Sequence, residues 1–187
     1  MRSSVTAVHL LVAALEPWDD LEARHQSDTL RWLEDTDDVF RRRKPATPDP
    51  HLVSYVVMVD RDNDGSSLLV DHISAGLWLP PGGHVEPDEH PADTARRELL
   101  EEVGVDPAPS RSLQTPTFLT VTRTVGTEQA HTDVSLWFCV PGHRTTTLRT
   151  DLTEFRSARW WTTQEVLDQP ATRFDPHYRR SVAKLSQ

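Results

Sequence analysis

The chain has 187 residues, enough for one domain with a substantial core plus additional segments. Hydrophobic residues make up 36% and charged residues 26% of the chain, which is typical of soluble globular proteins. The formal net charge of −9 argues against a surface that coats nucleic acid, so a nucleic-acid partner is disfavoured. The single cysteine, Cys139, excludes an internal disulfide framework and a zinc site built on cysteines.

The sequence contains no apolar run of transmembrane length, so we expect no membrane partner. Residues 5–15 are apolar enough to imitate the core of a signal peptide. However, His9 interrupts this stretch, and no small-residue cleavage site follows it. We therefore expect a cytoplasmic protein.

Residues from about 4 to 43 are predicted to be helical. The first helix carries an apolar stripe at helical spacing, which consists of Val5, Val8, Val12 and Leu15. After Pro17, a second helical segment is expected over residues 19–43, and Asp28 is a candidate cap for a helix that begins at the next residue. We interpret residues 1–46 as an N-terminal helical extension with its linker, which covers an active site, extends a dimer interface or adds to the packing of the fold.

Residues 47–187 carry strands before and after a central helix, and a terminal helix follows. Strands are predicted over residues 52–59, 67–73, 117–124, 134–140 and 159–162, with a short run at 77–79. Helices are predicted over residues 163–167 and 175–185, with Asp175 as the cap and Pro176 at the start of the second. This pattern by itself leaves α/β and α+β architectures open.

The central helix, predicted up to Gly104, has clear signals at both ends. Pro91 suits the first helical position, where its missing N–H costs nothing, and Asp93 places a negative charge in the first turn. Gly104 can adopt the left-handed conformation that ends a helix. The apolar stripe of this helix consists of Ala92, Ala95, Leu99 and Val103. We therefore expect one side of the helix to pack against a core.

Three glutamates of the same helix share one side. Glu98, Glu101 and Glu102 are spaced at i, i+3 and i+4. Clustered carboxylates repel one another unless a cation or water lies among them, and Mg²⁺ prefers such oxygen ligands. The turn at residues 80–83 is glycine-rich at its tip, so its main chain can approach a ligand closely. The alternative interpretation is a solvated acidic face with an ordinary Arg97–Glu101 pair.

The segment from Gly83 to Val105 resembles the signature of the Nudix hydrolases, Gly-x5-Glu-x7-Arg-Glu-U-x-Glu-Glu-x-Gly-U, where U is a bulky aliphatic residue. The matching residues are Gly83, Glu89, Arg97, Glu98, Leu99, Glu101, Glu102, Gly104 and Val105, without departures. Such a match arises by chance in roughly one chain in 10⁷, so composition does not account for it. The resemblance implies an α/β/α sandwich with a mixed sheet, in which residues 47–187 form the Nudix hydrolase domain with a C-terminal helix.

The resemblance also implies a metal site for Mg²⁺, with Mn²⁺ as a possible substitute. Its expected ligands are the carboxylates of Glu98, Glu101 and Glu102 and the main-chain carbonyl of Gly82, with Glu98 and Glu102 as the principal ligands. The reaction implied is attack of water on a diphosphate linkage in a nucleoside diphosphate derivative, a small-molecule substrate.

Further residues receive roles from the same resemblance. Arg97 is expected to orient a glutamate, and Glu98 or Glu154 to accept the proton of the attacking water. Glu154 lies before the tryptophan pair at residues 160–161, and Asp151 is the alternative to it. His84 and His131 are candidates for contact with substrate phosphate.

Two other interpretations belong to different classes. The first is a catalytically silent Nudix-fold module that binds a nucleotide and regulates. The second is an isoprenoid diphosphate isomerase, which would require a catalytic cysteine in a loop, whereas Cys139 lies in a predicted strand. The complete signature favours the hydrolase. The sequence does not specify the substrate, and a homodimer is possible.

Overall fold

The computed structural model describes residues 3–43, 47–63, 65–107, 113–124 and 130–186. Its helices are α1 (Ser3–Ala13), α2 (Asp20–Asp35), α3 (Pro91–Val103), α4 (Thr163–Asp168) and α5 (Tyr178–Leu185), with a 3-10 turn at Ala171–Arg173. Its strands are β1 (His51–Asp60), β2 (Ser66–His72), β3 (Leu77–Leu79), β4 (Gly82–His84), β5 (Phe118–Arg123), β6 (Thr132–Pro141) and β7 (Phe155–Trp161).

The strands form one mixed sheet with β1 at its centre. The order along the sheet is β3-β2-β1-β6-β5, while β4 pairs with β1 and β7 pairs with β2. β1 and β6 run parallel, with His51 opposite Asp133 at one end and Val59 opposite Pro141 at the other. The remaining strand pairs are antiparallel. This is the mixed sheet that the sequence predicts.

The sheet separates two hydrophobic clusters, because successive side chains of a strand point to opposite faces. From β1, Val56 and Met58 belong to the cluster that also holds Leu99 of α3. Val57 and Val59 belong to the other cluster, which contains Tyr178 of α5. Helices therefore cover both faces, as an α/β/α sandwich requires.

The N-terminal helices pack into the same cores as the rest of the chain. Val5, Val8 and Val12 of α1 are fully buried in the cluster that contains Leu99. In α2, the carboxylate of Glu22 is buried and accepts hydrogen bonds from the Leu119 main chain at 3.2 Å and from Lys184 at 2.8 Å. The apolar stripe that the sequence shows in this segment is therefore buried against the rest of the chain.

The predicted bounds of the N-terminal helices are partly wrong. α2 ends at Asp35 rather than residue 43, because the chain beyond it becomes extended and the Val39 carbonyl accepts the N–H of Leu52 in β1. Asp28 lies inside α2, whereas Asp19 caps it by accepting the Glu22 N–H at 2.8 Å. The predicted boundary at residue 46 lies outside the described residues and stays a prediction.

Two differences from the prediction occur in the C-terminal part. β7 begins at Phe155 rather than residue 159, because this segment pairs with β2 although its exposed side is polar. α5 begins at Tyr178, and Asp175 precedes it in a turn in which its carboxylate accepts the His177 N–H at 2.7 Å. None of the helices in the described ranges combines the length and the apolar character needed to cross a lipid bilayer.

Candidate active site

Helix α3 has the ends that the sequence predicts. Pro91 occupies the first turn, and Gly104 closes the helix in the left-handed conformation, with φ of 72° and its N–H directed to the carbonyl of Leu100. The side chains of Ala95, Leu99 and Val103 are fully buried. This anchoring fixes the rotation of α3, so Glu98 and Glu102 point towards β4 rather than into the core.

The three glutamates of α3 differ in exposure. Glu102 is 6% exposed, and the side chain of Glu98 is 14% exposed, whereas that of Glu101 is 60% exposed. The Gly82 N–H of β4 lies 3.3 Å from Oε2 of Glu102. A side chain at position 83 would collide with the carboxylate of Glu98, so glycine permits this close approach. Glu102 is therefore buried and Glu98 is partly buried, and both carboxylates lie against a glycine main chain.

Burial strongly affects the ionisation of this pair. Removal from water, together with the negative charge of Glu98, raises the pKa of Glu102 well above its ordinary value. Burial likewise raises the pKa of Glu98, although the adjacent Arg97 opposes the shift. A cation among these oxygens would favour the charged form of both groups. The donor set therefore fits a hard divalent cation such as Mg²⁺.

Arg97 connects the glutamates of the signature. Its guanidinium donates to Glu89 through Nε and Nη2, each at 3.0 Å, and to Oε1 of Glu98 at 2.7 Å. A longer contact of 3.3 Å joins it to Glu101. Glu89 in turn accepts from the Thr94 hydroxyl at 2.7 Å. Arg97 thus contacts the carboxylate of Glu98 directly, and its role in orienting that glutamate stays a prediction.

The loop before β7 brings a further carboxylate to the cluster. Main-chain hydrogen bonds of 2.8 and 2.9 Å join Arg149 to Val103 and Asp151 to Glu102 at the end of α3. Burial is the largest cause of the raised pKa of Glu98 and Glu102, and the negative charge of Glu154 is one of the smaller causes that add to it. The carboxylate of Asp151 instead accepts from the Thr153 N–H and hydroxyl at 2.8 and 2.7 Å. The carboxylate of Asp151 is therefore engaged within its own loop, and the role of Glu154 as the additional carboxylate stays a prediction.

The glutamates line a cavity of about 790 Å³, a volume that suits a nucleotide derivative. His84 and His131 line the same cavity, but they lie together with His51 and Asp133 in a cluster of their own. Sequence reasoning missed His51 and Asp133. The spacing of His131 and Asp133 could have indicated Asp133, because residues two apart along a strand share one face.

Sequence reasoning also missed Asp175, which lines the cavity from the turn before α5. Burial raises the pKa of its carboxyl to about 6, against the opposing effect of the hydrogen bond from the His177 N–H. Asp175 is therefore an acidic group that titrates near neutrality at the wall of the cavity.

Fold and site define a class of protein: a mixed sheet between helices, with buried helix carboxylates at a nucleotide-sized cavity. A family model described as the NUDIX domain matches residues 49–185. The chain therefore belongs to the Nudix hydrolase family, as its signature predicts.

Two curated relatives match short stretches of the chain. The m7GpppN-mRNA hydrolase NUDT17 from Bos taurus is 62% identical over 34 residues, which are 18% of this chain and 11% of that protein. The asymmetrical bis(5'-nucleosyl)-tetraphosphatase from Sus scrofa is 47% identical over 47 residues, which are 24% of this chain and 32% of that protein. Both matches span well under two thirds of the relatives' own length.

Solved structures resemble a larger part of the chain. The MutT protein from Methanosarcina mazei Go1 has a TM-score of 0.54 and 19% identity, and the match covers 72% of this chain and 91% of that one. The NUDIX domain of Shewanella oneidensis NrtR, complexed with ADP ribose, has a TM-score of 0.53 and 19% identity, with coverage of 78% and 95%. At such identities the likeness concerns the fold, and it confirms the predicted Nudix-type sandwich.

Proposed function

We propose that this protein hydrolyses a diphosphate linkage in a nucleoside diphosphate derivative, with Mg²⁺ or Mn²⁺ as its cofactor. The observation that carries the proposal is the placement of buried Glu102 and partly buried Glu98 against the main chain of Gly82 and Gly83. Two neighbouring carboxylates that are largely removed from water are unfavourable for stability, and a divalent cation would offset their repulsion. The cavity beside them has room for a nucleotide.

Glu98, Glu101 and Glu102, with the main-chain carbonyl of Gly82, would hold the cation. When bound, it supplies charge stabilisation to the phosphoryl oxygens and makes water a better nucleophile. The exposed position of Glu101 suits a ligand that shares the cation from the solvent side, whereas the buried pair provides the fixed part of the site.

The other side chains of the site would position groups and move the proton. Arg97 fixes Glu98 through the hydrogen bond of 2.7 Å. Glu154 is our candidate for the group that takes the proton of the attacking water, because it lies at the cavity without a described partner for its carboxylate, and Glu98 is the second candidate. A general base must stay free to accept a proton, and the buried glutamates are better suited to binding a cation.

The names of the relatives suggest which diphosphate compounds to test. They include an mRNA cap hydrolase, a dinucleoside tetraphosphatase and a domain that binds ADP ribose. A cytoplasmic location and a homodimer stay predictions from the sequence. The sequence likewise predicts that a nucleic-acid partner is disfavoured.

The test is a substrate panel assayed with Mg²⁺, with Mn²⁺ and with chelator. The panel contains nucleoside triphosphates, nucleotide sugars, ADP-ribose, dinucleoside polyphosphates and a capped dinucleotide. We expect turnover of at least one compound, its loss in chelator and its return with metal. The matched variants are Glu102→Gln and Asp93→Asn, which each remove one negative charge from α3, since Asp93 is exposed in the first turn. Tight binding of a nucleotide without turnover would instead indicate the regulatory module.

A further inference from the structure

A second polar cluster lies at the end of the sheet where β1 and β6 begin. It consists of His51, His84, His131 and Asp133. Asp133 is the parallel partner of His51, and His84 is the antiparallel partner of Val53, two residues after His51. His131 lies two residues before Asp133. Because side chains alternate along strands, these pairings place all four on one face of the sheet.

The potential ligand atoms of this cluster are closely spaced. Oδ1 of Asp133 lies 3.3 Å from Nε2 of His51 and 3.3 Å from Nε2 of His131. One ligand atom from each of the four residues lies within 4.8 Å of all the others. Four ligands of a tetrahedral zinc ion, at bond lengths near 2.0–2.1 Å, stand about 3.4 Å apart. The two distances of 3.3 Å from Asp133 to His51 and His131 thus already match the ligand–ligand separation of a tetrahedral zinc site.

The hydrogen bond of His51 turns a nitrogen lone pair of its ring towards the cluster. Nδ1 of His51 is 2.7 Å from the carbonyl of Pro48, which can only accept, so Nδ1 carries the proton and Nε2 of the neutral ring does not. Nδ1 of His131 is 3.3 Å from the Thr124 hydroxyl. Ligating histidines typically use their second nitrogen in this way.

The contact between His51 and Asp133 lacks the geometry of a hydrogen bond. Nε2 of His51 and Oδ1 of Asp133 are both buried, and neither atom has a hydrogen-bond partner within the described ranges. A proton on Nε2 would be expected to bridge the two atoms in a hydrogen bond. An imidazole lone pair and a carboxylate oxygen in apposition are instead suited to a cation that both can ligate.

We propose that His51, His84, His131 and Asp133 bind one Zn²⁺ ion. Three imidazoles and one carboxylate form a ligand set typical of zinc, whereas Mg²⁺ prefers oxygen alone. His51 is fully buried and the side chain of Asp133 is 13% exposed, so the four protein ligands form a closed, structural site. The ion joins β1, β4 and β6 at one wall of the cavity.

This assignment replaces phosphate contact as the role of His84 and His131. The carboxylate of Asp133 lies within 3.3 Å of His131, and its negative charge would repel a phosphate at that position. Zinc at this wall instead fixes β4, the strand that also carries Gly82 and Gly83. The site is separate from the glutamates of α3, and its occupancy is measurable without any activity.

The experiment uses the full chain, produced without a histidine tag and stripped with chelator. Zn²⁺ is then titrated, and the bound metal is counted by elemental analysis after gel filtration. We expect one zinc per chain, and a melting temperature raised by roughly 5–10 °C at a free zinc concentration about 100 times Kd. Co²⁺ in the same site should give the strong visible absorption of four-coordinate nitrogen and oxygen ligation.

Matched variants locate the site. Asp133→Asn and His131→Asn should each weaken zinc affinity by at least about tenfold, since even indirect support of a ligand is worth that much. His143→Asn removes an exposed histidine beside Asp62, and Glu102→Gln alters the glutamate cluster; both should keep the zinc. Circular dichroism of the metal-free variants verifies that they fold.

Three outcomes would overturn the proposal in whole or in part. The first is a wild-type chain that takes up no zinc and melts at the same temperature with and without it. The second is zinc that is retained by Asp133→Asn and lost by Glu102→Gln, which would move the ion to α3. One equivalent of a different transition metal in preference to zinc would overturn the identity of the ion.

Discussion

Glu102 combines two properties that conflict in the metal-free protein. It is buried, and it lies beside Glu98, so both its desolvation and the neighbouring charge raise its pKa. The Gly82 N–H offsets part of this cost at 3.3 Å. A residue that only stabilised the fold would not need a negative charge at this position, and this separates its role from that of Leu99 one turn earlier.

Glu102→Gln should therefore reduce catalysis without reducing stability. Glutamine keeps the shape, the helix propensity and an acceptor for the Gly82 N–H, but it removes one charge from the cation site. We expect kcat to fall by about 10² or more on a confirmed substrate. The melting temperature without metal should be unchanged or higher, because repulsion within the pair is relieved. Near wild-type kcat would show that Glu102 is not a principal ligand.

Leu99→Ala provides the opposite result on the same helix. Leu99 is fully buried in the cluster that α3 shares with the sheet. Its truncation should cost about 2–5 kcal/mol of unfolding free energy. Denaturant unfolding of both variants, measured without metal, separates the two roles; a stable Leu99→Ala protein would contradict the packing of α3.

Asp175 should make stability depend on pH. Its folded-state pKa, raised by burial to about 6 from 3.8, means that the folded protein favours the protonated form. This contribution is fully present below pH 3.8 and is lost as the pH rises through 6. Asp175→Asn mimics the protonated group at every pH. The unfolding free energy of this variant minus that of wild type should therefore rise by about 2–3 kcal/mol between pH 4 and pH 8.

Urea unfolding at both pH values tests this dependence. Asp62→Asn is the matched control, since Asp62 is exposed and its replacement should leave the pH profile unchanged. Parallel profiles for wild type and Asp175→Asn would show that the Asp175 carboxyl titrates at its ordinary pKa in the folded protein.

At the scale of elements, α3 was predictable because its signals are local. The proline at its start, the glycine at its end and the apolar stripe lie within fifteen or so residues, and the 3.6-residue period needs no information from elsewhere. The spacing of Glu98, Glu101 and Glu102 therefore placed them correctly on one side. The sequence instead predicts a turn at residues 80–83, because the three residues of β4 become a strand only by pairing with β1.

The end of α2 could not be predicted from local sequence. The segment after Asp35 contains the buried Val39 and Phe40, whose apolar character continues the helical pattern. A main-chain hydrogen bond from Leu52 to the Val39 carbonyl makes this segment extended instead. Pairing with a strand that lies later in the chain thus decides a boundary that propensity alone assigns to a helix.

The docking of α2 depends on one buried carboxylate. Glu22 accepts hydrogen bonds from Lys184 of α5 at 2.8 and 3.0 Å and from the main chains of Trp18 and Leu119. Lys184→Met removes the opposite charge and leaves the buried carboxylate with main-chain donors only. We expect a loss of about 3 kcal/mol, measured by denaturant unfolding.

An exposed ion pair of the same helix provides the control for Lys184→Met. Arg31 pairs with Asp28 three residues earlier, and both side chains are exposed. Arg31→Met should change stability by less than about 0.5 kcal/mol. Adding Glu22→Gln to Lys184→Met should recover part of the loss, since no charge then remains buried. Equal losses of stability in Lys184→Met and Arg31→Met would show that the burial of Glu22 does not depend on its ion pair with Lys184.

At the scale of the whole molecule, the parallel pairing of β1 with β6 determines which residues meet. It places His51 opposite Asp133, although these residues lie far apart in the chain. Alternation along both strands then sorts side chains between the two hydrophobic clusters. The glutamates of the site were predictable from one helix, whereas the histidine cluster required strand order and register, which the sequence pattern left open.

The last prediction concerns the cooperativity of the molecule. Val8 and Val12 of α1 belong to one buried cluster with Leu99 of α3 and Leu136 of β6, so α1 cannot detach without exposing apolar surface of the sheet. The buried ion pair of Glu22 with Lys184 additionally joins α2 to α5. We therefore expect the slowest amides of α1 and α2 to exchange with the same free energy and the same denaturant dependence as those of β1 and β6. Native-state hydrogen exchange by NMR measures both quantities residue by residue. Rapid, denaturant-insensitive exchange throughout α1 and α2, beside slow exchange in β1 and β6, would show that the N-terminal helices open as a separate unit.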